Sequence, residues 1–125
     1  MQKEIISTSK APGAIGPYSQ ANKIGNLIFT SGQIPLVPAT GELVTDIEGA
    51  TKQCLENIKA ILEEAGSSLE KVVKVVIFLS DINDFATVNK IYGEYFTANE
   101  PARSCVEIAK LPKDALLEIE TIAYV

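Results

Sequence analysis

Val72-Val73-Lys74-Val75-Val76-Ile77-Phe78-Leu79 decides the fold. Only Lys74 interrupts an apolar run rich in β-branched residues, the pattern of a strand covered on both faces and so of a sheet's centre. A helix stands on each side of it in the sequence. Upstream, Thr45 followed by Glu48 fits a capping box, and Ile47, Ala50, Thr51, Cys54, Leu55, Ile58, Ile61, Leu62 and Ala65 recur at helical spacing until Gly66 supplies a C-terminal cap. Downstream, Phe85, Val88, Ile91, Tyr92, Tyr95 and Phe96 repeat the helical pattern after Asn83. Gly93 weakens that second helix, and the polar residues 97–100 close it before Pro101.

Further out, residues 26–34 alternate as a strand ended by Pro35, and residues 38–41 read as a turn. Residues 11–20 hold two prolines and two glycines, a rigid loop that presents Tyr18 at a fixed place. Two strands, 102–110 and 116–125, end the chain. The expected order is strand, strand, helix, strand, helix, strand, strand: a single α+β domain over residues 1–125, its mixed sheet carrying two helices on one face. Two helices leave the other sheet face bare. Because several strands are apolar on both sides, self-association into a closed cyclic oligomer is expected to cover it.

Composition narrows the function. The 125 residues carry a net charge of −5, with eleven Lys and Arg scattered along the chain, which disfavours capture of nucleic acid. The start, Met1-Gln2-Lys3-Glu4-Ile5-Ile6, lacks the apolar stretch of a signal peptide. No segment approaches the ~18 apolar residues of a membrane span, so a soluble, cytoplasmic protein is expected. The chain has no histidine, which removes Ser-His-Asp and Cys-His nucleophile systems, HExxH zinc sites and the usual proton shuttle near neutral pH. With no paired-cysteine motif either, no catalytic metal is expected. Cys54 and Cys105 read as free thiols, Cys54 in the core.

The chemistry-bearing residues gather near the end, in Pro101-Ala-Arg-Ser-Cys-Val-Glu107 and Leu117-Glu-Ile-Glu120. Alternation puts Arg103, Cys105 and Glu107 on one strand face. Arg103 is either half of an internal ion pair or a planar fork for a ligand carboxylate. Glu118 and Glu120 share a face of the last strand, and either lie in solvent or include one carboxylate that orients a water. If the last two strands form a simple hairpin, Arg103 and Glu118 stand about 17 Å apart, too far for one small ligand. Either the connection differs, or the two meet across subunits. Cys105 is a small pocket wall or a nucleophile dependent on Arg103. Tyr18 touches a ligand or covers the core edge. Ser31 and Gly32 admit a ligand to backbone amides or form a bulge. Asn89 lies on the polar flank of the second helix.

Residues 101–115 with the following Glu-Ile-Glu resemble the C-terminal signature of the RidA/YjgF/YER057c/UK114 family. Ala14-Ile-Gly-Pro-Tyr-Ser-Gln20, Thr30-Ser-Gly-Gln-Ile-Pro35 and Asp84-Phe-Ala-Thr-Val-Asn89 agree with other family blocks. The resemblance implies a chorismate-mutase-like fold and a homotrimer with clefts between subunits. It also implies enamine/imine deaminase activity, converting 2-aminoacrylate/2-iminopropanoate and 2-iminobutanoate to 2-oxo acids and ammonia with no cofactor. Pyridoxal (PLP)-dependent dehydratases would supply the imine. By this resemblance Arg103 binds the substrate carboxylate and Glu118 positions water, while Tyr18, Gly32, Asn89 and Cys105 line the pocket, with Ser31 beside Gly32. The rival from another class is a non-catalytic trimeric regulatory protein that holds a small carboxylate.

Overall fold

A computed structural model describes all 125 residues. Its strands are β1 (Glu4–Ile6), β2 (Ala21–Ile24), β3 (Leu27–Thr30), β4 (Val72–Leu79), β5 (Ala102–Glu107) and β6 (Leu117–Tyr124), and its helices are α1 (Ile47–Glu64) and α2 (Phe85–Tyr95). They form one mixed sheet in the order β1-β2-β3-β6-β4-β5. The apolar strand β4 is interior, with β6 antiparallel on one side and β5 parallel on the other. No helix is long and apolar enough to cross a membrane.

Four local expectations change. Three strands precede α1, one more than expected, because residues 21–30 fold as a hairpin in which Ile24 faces Leu27. Gly25 begins its two-residue turn with φ of 57°, the position where a type II′ turn takes glycine. The polar Asn22 and Lys23 hide this short strand from pattern reading. Second, α1 is capped by Asp46, whose carboxylate accepts from the Gly49 N–H at 2.8 Å, one residue past the expected Thr45. Its far end is a Schellman motif: the Ser67 N–H donates to the Leu62 carbonyl at 2.8 Å, and Gly66 takes a φ of 85° that favours glycine.

Third, the strand expected over residues 26–34 breaks after Thr30. Thr30 bonds to Thr121 and Gln33 pairs with Ile119 of β6, a span one residue longer on the first strand than on β6. That is a β-bulge at Ser31 and Gly32. Fourth, the last two strands are not a hairpin, since β4 lies between them. The α2 crossover makes β5 parallel to β4, and β5 ends at Glu107.

The sheet's two faces differ sharply. Both helices pack on the face of Val75, Ile77, Leu79, Leu117 and Ile119, and with Ile28, Leu55, Ile58, Ile61 and Leu62 these make a core of almost zero exposure. Each such side chain contributes roughly 1.5–3 kcal/mol by leaving water. The other face carries no helix. It presents Leu27, Phe29 and Val106, each at least 40% exposed, beside the half-buried Val76, Phe78 and Ile122. The same face carries Glu118 and Glu120, which pair with Phe78 and Val76, so its exposed apolar residues surround two carboxylates.

Candidate active site

Two clusters hold the residues singled out by the sequence, and they lie apart. The first is a cavity of ≈ 530 Å³ lined by Tyr18, Ser31, Gly32 and Glu118, together with Ile15, Gln33, Pro112 and Lys113. Its walls are the 11–20 loop, the bulge after β3 and the start of β6. Gln20 fixes the loop: its buried side-chain amide donates to the carbonyls of Thr8 at 3.0 Å and Pro12 at 2.8 Å and accepts from the Thr8 N–H at 2.6 Å. The bulge is tied to the same loop, since the Ser31 N–H donates to the Gln20 carbonyl at 2.8 Å and the Ser31 hydroxyl to the Ser19 carbonyl at 2.6 Å. The Ser31 hydroxyl proton is therefore engaged within the chain, whereas the Gly32 N–H has no partner there.

Glu118 lies directly on Gly32. A Cβ at Gly32 would stand 2.6 Å from the Glu118 carboxyl carbon and one of its oxygens, so only glycine leaves room for the carboxylate. Burial pushes the Glu118 carboxyl above the usual range, and the neighbouring Glu120 charge adds to the shift. A half-buried carboxyl with an upward shift beside an unused N–H can take and return a proton. Beneath it Cys54 is fully buried, its thiol 3.2 Å from the Gln33 carbonyl and pushed well above its ordinary value by burial and then by the Glu118 charge. It belongs to the core.

The second cluster lies at the β5 edge, in an open cleft of Asn89, Tyr92, Phe96, Glu100, Pro101 and Arg103. Asn89 is exposed on α2, as its place on the polar flank implies. Arg103 has no carboxylate within 4.0 Å; the chain's single ion pair joins Lys110 to Asp114 at 3.7 Å. The guanidinium instead lies 4.7 Å from the Tyr92 ring centre and 5.5 Å from that of Phe85. Glu107, next but one past Cys105 on the same face, is already engaged: it accepts from the Ile82 N–H at 2.9 Å. Cys105 is partly buried, and burial raises its pKa more than Arg103 lowers it, which suits a neutral pocket wall better than a nucleophile.

The register explains why the clusters are separate. Arg103 pairs with Val75 of β4 and Glu118 with Phe78, so three residues of rise and two strand spacings divide them, on the order of 14 Å between Cα atoms. They also point oppositely. Val75 faces the helices and Phe78 the bare side, and side chains follow their partners across the ladder. Arg103 and Glu118 of one chain therefore cannot hold one small ligand together.

Sequence reading missed Phe85 and Tyr92 as partners of Arg103, because both fit the apolar stripe of α2. It also missed Lys113 at the cavity wall. Lys113 and Asp114 take positive φ values of 58° and 55°, and the Pro-Lys-Asp sequence gives no sign of that.

The sheet order and the two helices on one face define the class: a small α+β domain of the chorismate-mutase-like, YjgF type. Within it the chain belongs to the endoribonuclease L-PSP family, the RidA/YjgF/YER057c/UK114 group, whose pattern it matches over residues 8–125. It is 54% identical to the 2-iminobutanoate/2-iminopropanoate deaminase of Escherichia coli K12 over 123 residues, 96% of each chain. Among solved structures it resembles E. coli TdcF with bound serine, with a TM-score of 0.95, 50% identity and 98% of each chain covered. It also resembles the Rid-family protein YyfA of Yersinia pestis, with a TM-score of 0.97, 52% identity and coverage of 99% and 100%. Relatives carry the names reactive intermediate deaminase and 2-iminobutanoate/2-iminopropanoate deaminase, so deaminase activity is supported at the level of the family.

Proposed function

We propose that the protein hydrolyses small 2-imino acids to 2-oxo acids and ammonia in a site that two copies build together within a homotrimer. The observation that carries this reading is the division of the residues: a carboxylate over Gly32 on the bare sheet face, and an arginine without a counter-ion at the β5 edge. The apolar residues of the bare face call for a neighbour. If the β5 edge of one copy docks on the bare face of the next, two different patches meet. Such a heterologous contact closes only as a ring, and three is its smallest closed size. Each junction then holds Arg103, Asn89 and Cys105 from one copy and Glu118, Gly32, Ser31 and Tyr18 from the other.

The chemistry needs position and modest proton transfer, because imines already hydrolyse in water. Arg103 grips the substrate carboxylate by two parallel N–H bonds. The Glu118 carboxylate takes a proton as water oxygen bonds to the imine carbon, and passes it to the nitrogen. The carbinolamine then collapses: its hydroxyl proton moves through Glu118 to the nitrogen, the C–N bond breaks, and ammonia leaves a 2-oxo acid. No step calls for histidine, and none for a metal or organic cofactor. PLP-dependent dehydratases, which release 2-aminoacrylate and its imine tautomer, are the matching source, and a cytoplasmic location goes with that reading.

A net charge of −5 and the absence of histidine favour this reading over the cleavage of RNA suggested by the family's description. The serine held by TdcF fits a carboxylate-binding regulator as well as an enzyme. Coupling the protein to a dehydratase acting on serine or threonine, and timing 2-oxo acid release, separates the two. Faster release supports the enzyme, whereas binding without acceleration supports the regulator. A folded Arg103→Ala protein that keeps full activity refutes the assigned role.

A further inference from the structure

We propose that Phe85 and Tyr92 are positioning residues: they form an aromatic seat that holds Arg103 flat and keeps it from pairing with Glu100, so that its donors stay open to a carboxylate. The proposal rests on the reading of Arg103 as the substrate clamp and names what makes that clamp possible.

An arginine beside acidic residues ordinarily pairs with one of them. Glu100 lines the same cleft as Arg103, with only Pro101 and Ala102 between them in the chain. Yet no carboxylate lies within 4.0 Å of the guanidinium. Two aromatic faces hold it instead, Tyr92 at 4.7 Å and Phe85 at 5.5 Å, both within the range where the ring quadrupole attracts a cation. Contact through faces leaves the in-plane N–H groups unused, and a carboxylate is recognised through those groups.

The seat is itself well supported. Tyr92 is 6% exposed and stacks on Phe96 with 4.5 Å between ring centres, so its plane is fixed by the core. Its buried hydroxyl has no hydrogen-bond partner in the chain; the ring, and not the hydroxyl, meets Arg103. Phe85 opens α2 and is 38% exposed. The guanidinium lies over this partly exposed ring at the start of the helix.

Phe85 is the residue to change, because its exposure lets the fold survive. In Phe85→Leu, removal of one face at a partly desolvated site raises KM for the imino acid by about three- to ten-fold, with kcat little altered. Phe85→Tyr keeps a face and holds KM near the wild-type value. In Phe85→Leu/Glu100→Gln the competing carboxylate is gone, and KM falls back toward wild type, a rescue that a merely structural role would not give. An unchanged KM in Phe85→Leu overturns the proposal, as does an equal loss in Phe85→Tyr or a failure of Glu100→Gln to restore KM. Arg103→Ala, measured in parallel, separates the two layers. If Arg103→Ala leaves KM and kcat intact, the clamp reading fails and the seat fails with it. If Arg103→Ala loses activity but Phe85→Leu does not, the seat alone is wrong.

Discussion

Gly32→Ala tests the carboxylate half of the site with the smallest possible change. A Cβ at Gly32 would lie 2.6 Å from the Glu118 carboxyl carbon and 2.9 Å from its Cγ. Ordinary contact begins near 3.6 Å, so the carboxylate must retreat by about 1 Å. The retreat costs little in stability. Glu118 has rotatable bonds, Gly32 does not have a positive φ, and replacing glycine at a compatible position stabilises a chain by about 0.4–1 kcal/mol through its unfolded state. Activity has no such relief: a misplacement of about 1 Å costs on the order of a hundredfold in rate, equivalent to about 2.7 kcal/mol in the barrier. Gly13→Ala, at the same cavity, is the control, because a Cβ there meets nothing within 4 Å. The assay is 2-oxo acid release from a dehydratase-coupled imine, read beside thermal melting. The expected result is a kcat/KM lower by about two decades in Gly32→Ala, an unchanged Gly13→Ala, and melting temperatures within a few degrees for both. Full activity in a folded Gly32→Ala protein refutes the carboxylate's role, and a collapse in melting temperature refutes the packing argument.

Three further outcomes follow from the same geometry. Glu118→Gln removes the proton acceptor and abolishes deamination, yet it melts at a higher temperature near neutral pH. The wild-type carboxyl has its folded pKa raised by burial and Glu120, so the fold binds a proton there that the unfolded chain has already released. Wild-type stability therefore rises, and kcat/KM falls, as pH drops through that raised pKa; Glu118→Gln lacks this titration of stability, and a parallel profile would count against the assignment. Co-expression of Arg103→Ala with Glu118→Gln, each inactive alone, restores up to about a quarter of wild-type activity, the share of random ring junctions holding both native residues; no recovery would confine the site to one chain. Phe29→Glu puts a charge on the bare sheet face where Phe29 is 40% exposed. Light scattering should then give a folded particle of single-chain mass without deaminase activity, and an intact trimer would disprove that face as the interface.

The sequence made the layers legible because period and length are strong signals. Val72 to Leu79 is too apolar for anything but an interior strand, and the stripe from Ile47 to Ala65 is too long and regular for anything but a helix. It also placed Arg103 and Cys105 opposite Ser104, and Glu118 with Glu120, since alternation has a period of two. Connectivity was less legible. Whether residues 102–107 pair directly with residues 117–124 or leave a gap for β4 depends on how α2 crosses the sheet, and no local pattern encodes that. The consequence reached the site: a hairpin would have set Arg103 and Glu118 too far apart along neighbouring strands, whereas the parallel β5 sets them on opposite faces as well. The apolar pattern of the bare face, legible from the start, then acquires its meaning. A chain that keeps its carboxylate on one face and its unpaired arginine near the other does not bring both to one small ligand, and the trimer we propose answers that separation by drawing the two from different copies.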